Sequence, residues 1–218
     1  MVTRAGFLSQ LPILGVSSCA PAPTGGGVVR IGGVLPFDFD RGAFNAILRK
    51  PAKHRQCFGC TKLDGGDVIN AMANSSIAYD DDLREGRQSI HTVAVLYHGS
   101  SIWLALNSGV WNQYLDPYLA QNADVAREIP EAKKHAGNPY LTPRKLLGAV
   151  NVRGASFFVC HNALAGLSQA IAKAVNAPAD EVHRTLMTSL VPGALVVPAG
   201  VMAINACQEA GFTYIAVS

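Results

Sequence analysis

The sequence lacks a long apolar run, since no stretch reaches the ~18 consecutive apolar residues of a membrane-spanning helix. Charge is also sparse: Asp, Glu, Lys and Arg make up 15% of the 218 residues, and the formal net charge is +3. A nucleic-acid-binding protein usually clusters its Lys and Arg residues. The densest basic stretch here, residues 49–55, is better explained as a solvated helix end than as a phosphate-binding patch. We therefore expect neither a membrane span nor a nucleic-acid partner.

Several catalytic and cofactor signatures are missing as well. The chain contains no G-x-G-x-x-G, no G-x-x-x-x-G-K-[ST] and no G-x-S-x-G motif. Its five cysteines are too few, and odd in number, for a disulfide framework. Cys57 and Cys60 have C-x-x-C spacing, but no second pair completes a zinc site, and residues three apart on a strand point to opposite faces. We predict two buried strand cysteines, no metal and no cofactor.

Apolar strand patterns alternate with helical patterns along the chain. Within 91–98 and 155–160 the apolar residues follow one another instead of alternating with polar ones, which is typical of parallel strands buried on both faces. Further strands are predicted at 54–61, 194–198 and 212–217, with amphipathic helices between them. This alternation predicts an α/β fold, a mostly parallel sheet with helices on both faces.

The two ends of the chain differ in character. Residues 1–27 are either an export-signal-like segment or a flexible tail and linker, because a charged start and a short apolar stretch precede Cys19 and a Pro/Gly-rich stretch. Residues 28–218 are predicted to form a single domain. Within it, the proline-rich residues 112–148 are interpreted as an insertion of short helices and loops.

Polar and thiol side chains collect where the predicted strands end. Cys60, His98 and Cys160, with Asn162 just beyond, fall at the carboxyl edge of the sheet, where α/β proteins bind their ligands. The N-terminus of the following helix favours negative charge, so a cysteine there is favoured as a thiolate nucleophile. The alternative is that Cys160 is an inert core residue, because cysteine is among the most buried residue types.

Four features in the second half of the chain resemble the DsrE/DsrF-like family. They are a strand ending in His98-Gly99, a strand ending in Cys160-x-Asn162, the segment Leu190-Val-Pro-Gly-Ala-Leu-Val-Val-Pro-Ala-Gly-Val201, and a helix ending in Gln208-Glu-Ala-Gly-Phe-Thr-Tyr-Ile215. The resemblance covers about 54–111 and 152–218. It implies a three-layer α/β/α fold on a five-stranded parallel sheet, often assembled as homo-oligomeric trimers or hexamers.

In the best understood relatives a cysteine carries sulfur as a persulfide, and Cys160 matches its position. The resemblance thus implies a sulfurtransferase-like carrier in which His98 or Asn162 orients the sulfur. The N-terminal extension and the insertion suggest an exported, periplasmic branch with a twin-arginine-type signal; a cytoplasmic location is the alternative. Two other functions stay open: a non-catalytic protein that binds a small molecule in the same crevice, and an enzyme of another reaction type.

Overall fold

The computed structural model describes residues 37–86, 89–129, 137–145 and 153–217. The predicted export-signal-like segment and linker, 1–27, and the stretches 130–136 and 146–148 of the predicted insertion lie outside the described residues. Export of the protein and its assembly into homo-oligomers both stay predictions.

The described residues form an α/β fold whose elements largely alternate. The strands are β1 His54–Cys60, β2 Ile90–Leu96, β3 Ser156–Cys160, β4 Ala194–Val197 and β5 Thr213–Val217. The α-helices are α1 Arg41–Arg49, α2 Asp67–Ile77, α3 Ser108–Gln121, α4 Ala123–Glu128, α5 His161–Val175, α6 Ala179–Thr188 and α7 Gly200–Glu209. Short 3-10 turns occupy Asp64–Gly66 and Ser101–Ala105, and a π-helical turn occupies Ala78–Asp82.

The five strands form one parallel sheet in the order β4-β3-β2-β1-β5. Strand β2 lies at its centre, and all seven of its residues are buried. This explains the continuous apolar run in the sequence, because a central strand covered by helices on both faces has no solvated side.

Two apolar clusters, one on each face of the sheet, make the fold a three-layer α/β/α structure. Phe157 belongs to the cluster that includes side chains of α2, α3, α5 and α6, whereas its neighbour Phe158 belongs to the cluster built with α1 and α7. Successive strand residues point to opposite faces, so each strand supplies both clusters in turn. The predicted fold class is confirmed.

The polypeptide after β1 differs from its prediction. A helix capped by Asp67 and running to about Glu85 is expected from sequence, with Ile77 and Leu83 buried; instead Gly66 occupies the N-cap position and α2 ends at Ile77. Ile77, the last residue of α2, is 41% exposed. The π-helical turn that follows moves later residues off the buried face, and Leu83 is 61% exposed. The predicted burial of these two side chains is therefore wrong.

The predicted insertion begins inside a regular helix. Helix α3 has 14 residues despite Pro117 in its interior, and it buries Trp111, Tyr114 and Tyr118. Trp111 donates its indole N–H to the carbonyl oxygen of Trp103, at 2.8 Å. These contacts anchor α3 against the sheet edge where β2 and β3 end.

Candidate functional site

A cleft of about 420 Å³ lies at the carboxyl ends of β2 and β3. Its described lining residues come from the β2 end, from α3 and from the first turns of α5: Tyr97, His98, Gly99, Tyr118, Cys160, Asn162, Ala163, Gly166, Leu167 and Ala170. The position agrees with the rule that ligands of parallel α/β sheets bind beyond the carboxyl ends of the strands. Its volume falls in the range of small-molecule sites.

Cys160 is both the last residue of β3 and the N-cap residue of the 15-residue helix α5. Its side chain makes no capping hydrogen bond, and the residue is 5% exposed. The thiol therefore meets the cleft at the positive end of the α5 dipole, where a developing negative charge is stabilised. The structure places Cys160 at the carboxyl end of a strand, as the sequence predicts, and its burial answers a question that the sequence left open.

His98 and Asn162 also line the cleft, and both residues are exposed. The backbone of His98 is fixed by Ser101, whose hydroxyl donates to the His98 carbonyl oxygen at 2.8 Å. Asn162 is the second residue of α5, directly after the buried His161. The three site residues predicted from the sequence are thus brought together around one cavity.

Cys60 reaches the same edge of the sheet but is not among the lining residues of the cleft. Its thiol donates a hydrogen bond to the carbonyl oxygen of Lys62 at 3.0 Å. Burial raises the pKa of Cys60 to about 12, so this thiol stays protonated at neutral pH. Cys60 and Cys57 belong to the apolar clusters on opposite faces of the sheet, an arrangement that opposes a disulfide between them.

His161 follows Cys160 in the chain but does not line the cleft. Its ring stacks on Phe37, with centroids 4.1 Å apart, and meets the ring of His183 edge-on at 5.2 Å. Burial lowers the pKa of His161 to about 4, and the neighbouring His183 adds to the shift. His161 is therefore neutral at pH 7 and packs as part of the core.

Three further residues shape the cleft but were not predicted as site residues from the sequence: Tyr97, Tyr118 and Gly166. Gly166 lies four residues after Asn162, so helical spacing could have found it. Tyr118 comes from α3, far away in sequence, and only the tertiary structure places it. Tyr97 packs so closely on Gly200 that a Cβ atom there would lie 3.1 Å from Tyr97 Cγ and would overlap Tyr97 Cβ.

Other parts of the described chain bring together fewer side chains that could react with or bind a ligand. A second cavity of about 540 Å³ lies between α1 and α7, with Arg49, Arg55 and Glu209 in its lining. No group of three His, Cys, Asp or Glu residues in the described ranges could hold a metal ion. None of the helices described is long and apolar enough to cross a membrane.

No protein-family model matches the chain, and no curated protein matches it either. A solved structure that resembles it is the protein of unknown function MTH1491 from Methanobacterium thermoautotrophicum. The two share 18% sequence identity over 75% of this chain and 99% of that chain, with a TM-score of 0.34. A likeness at this level carries no argument about function, so the function has to be argued from the cleft itself.

Proposed function

We propose that this protein is a DsrE-like sulfur carrier in which the Cys160 thiolate accepts a sulfane sulfur atom and passes it on as a persulfide. One observation carries the proposal. Among the cysteines that the structure describes, only Cys160 lines the cleft, and it lies at the N-terminus of α5. A thiolate at such a position is stabilised by the helix dipole and can act as a nucleophile.

The surroundings of Cys160 fit sulfur transfer. In the loading step the Cys160 sulfur attacks the outer sulfur of a donor R–S–SH. A new S–S bond forms as the S–S bond of the donor breaks, and the leaving thiolate takes the thiol proton to become R–SH. The imidazole of His98 can move that proton, and the amide of Asn162 can donate a hydrogen bond to the outer sulfur. Both side chains are exposed within the cleft, and so are available to a ligand.

A non-catalytic ligand-binding protein is the second candidate. The low exposure of Cys160 and the absence of a capping hydrogen bond to its sulfur favour it, because reactive cysteines are usually partly exposed. In that case the same cleft would bind a small molecule, and Cys160 would contact that molecule without reacting with it.

Intact-mass spectrometry after brief exposure to polysulfide separates the two candidates. The sulfur-carrier role predicts a gain of about 32 Da, one sulfur atom per chain, because persulfidation is a reversible addition to a thiolate. The gain should vanish in Cys160→Ser and persist in Cys207→Ser, which alters a thiol enclosed between β1 and α7. A gain of equal size in Cys160→Ser, or none in the wild-type protein, would leave the ligand-binding role.

A further inference from the structure

One wall of the cleft follows a single face of α5. Ala163, Gly166, Leu167 and Ala170 are spaced three or four residues apart, so they share one side of the helix. At a rise of 1.5 Å per residue, the distance from position 163 to position 170 is about 10 Å. Cys160 lies at the start of the same helix. The cleft is therefore an elongated groove that has the thiol at one end.

Charge is absent from this groove. No Asp, Glu, Lys or Arg occurs among the described residues that line it, and the far end along α5 is formed by Ala, Gly and Leu residues facing Tyr118. A charged group that entered this end would lose water without gaining a partner, which costs free energy. The complementary ligand is thus uncharged along its length and carries any negative charge only at the Cys160 end.

Gly166 keeps the middle of the groove open. A Cβ atom built on it meets no atom within 4 Å, and its backbone is ordinary α-helix. Neither packing nor backbone conformation requires glycine here, although glycine inside a helix is less favourable than alanine. The missing side chain leaves space over α5 between Cys160 and Ala170.

We propose that Gly166 determines ligand class, and that the groove takes an alkyl persulfide whose unbranched, uncharged chain lies along α5 with its sulfur atoms at Cys160. This rests on the proposed function, in which Cys160 is the sulfur acceptor. The transfer is balanced: Cys160–SH and R–S–SH give Cys160–S–SH and R–SH, and no oxidant is required. Persulfides with charged substituents are poorer ligands of the groove.

The groove can be tested without sulfur transfer, by measuring binding of 1-hexanethiol to the full-length Cys160→Ser protein with isothermal titration calorimetry. Hexanethiol should bind more tightly than the charged thiol 2-mercaptoethanesulfonate. Adding Gly166→Leu should weaken hexanethiol binding by about tenfold or more, because the new side chain takes the place of several ligand methylenes. Adding Asn205→Leu instead, at an exposed position of α7 on the other face of the sheet, should leave the affinity within about twofold of the Cys160→Ser value.

Equal hexanethiol affinities in the Gly166→Leu and Asn205→Leu proteins would overturn the proposal, as would no preference over 2-mercaptoethanesulfonate. Near-ultraviolet circular dichroism of the Gly166→Leu protein checks that its fold is intact. Because Cys160 is absent throughout, these results do not depend on persulfide loading. Hexanethiol binding that depends on residue 166, combined with no polysulfide loading of the wild-type protein, would retain the groove and reject the carrier role.

Discussion

The amino and carboxyl edges of the sheet, where the strands begin and end, differ in how their polar side chains are bonded. At the amino edge, Lys50 donates to the Gly154 carbonyl oxygen at 2.9 Å, and Arg55 donates to the Ala210 carbonyl oxygen at 2.9 Å. The Glu85 carboxylate oxygens lie 2.9 Å from Lys53 Nζ and 2.7 Å from His54 Nε2. At the carboxyl edge, the side chains of Cys160, His98 and Asn162 make no hydrogen bond to any residue in the described part of the chain.

This contrast shows where the molecule has unused binding capacity. The amino edge uses its charges to join strands, helices and loops. The carboxyl edge places three side chains that have no hydrogen-bond partner among the described residues around a cavity, which is the arrangement expected of a ligand site.

Thiol chemistry gives the largest expected difference within the molecule. In a Cys19→Ser background, iodoacetamide should alkylate Cys160 at least about 1,000-fold faster than Cys57, Cys60 or Cys207. Those three thiols lie in the apolar clusters, so they react only after opening that costs roughly 5 kcal/mol. Contact with Cys57 and burial also raise the pKa of Cys207 far above that of a free thiol.

Mass-spectrometric peptide mapping over time gives these rates. Complete unfolding in urea serves as the control, because all four thiols should then react at similar rates. Similar protection of Cys160 and Cys207 in the native protein would remove the distinction between the cleft and the core.

Acid should destabilise the fold through two buried histidines, one at each edge of the sheet. His91, at the start of β2, is 1% exposed, and neither of its ring nitrogens has a hydrogen-bond partner among the described residues. Burial is the main cause that lowers the pKa of His91 to about 4, and burial likewise lowers the pKa of His161 to about 4; the ordinary value is 6.5. Below pH 6.5 the unfolded chain binds protons that the folded chain excludes, so the stability present above pH 6.5 is lost as the pH falls to 4.

Each histidine should contribute up to about 3 kcal/mol to this loss. Urea unfolding of wild type, His91→Leu and His161→Leu at pH 7 and pH 4.5 measures it, and each substitution should reduce the pH dependence. If both variants lose as much stability as wild type between the two pH values, the charging of these rings is not the cause.

Two glycines provide a matched pair of smaller effects. Gly200→Ala should destabilise the fold by about 1–3 kcal/mol, because the new methyl group overlaps Tyr97. Gly166→Ala should instead stabilise it by about 0.5–1 kcal/mol, because the methyl group meets open space in a helix. Chemical denaturation of both variants tests the pair. Stabilisation by both substitutions would mean that Tyr97 moves aside freely. Destabilisation by both would mean that the space over Gly166 is not open.

The order of strands and helices could be predicted from the sequence because each pattern is local. The apolar run around Val93 and Val95 predicts a central strand by itself, and the C-terminal end of β3 places Cys160 at the ligand edge. Parallel pairing then brings His98 and Asn162 to the same edge without any detailed knowledge of contacts.

Features that depend on distant contacts could not be predicted in this way. Tyr118 reaches the cleft only because α3 packs against α5, whereas the sequence predicts an insertion of short helices and loops around it. The packing of His161 against Phe37 and His183 combines three separate segments of the chain. The exposure of Leu83 follows from a π-helical turn, which has no clear sequence pattern.

The smallest expected effect concerns the charges of the amino edge. Lys50 and Arg55 lower the pKa of His91 in addition to burial, so Lys50→Met should raise the pKa of His91 above about 4 while leaving it below 6.5. Loss of the hydrogen bond to Gly154 should cost roughly 1 kcal/mol at pH 7. An NMR titration of the His91 Cε1 proton, with the exposed Lys173→Met as control, measures the shift. An unchanged pKa in Lys50→Met would assign the depression to burial and Arg55, and the amino edge would then differ from the carboxyl edge in its packing rather than in its charge.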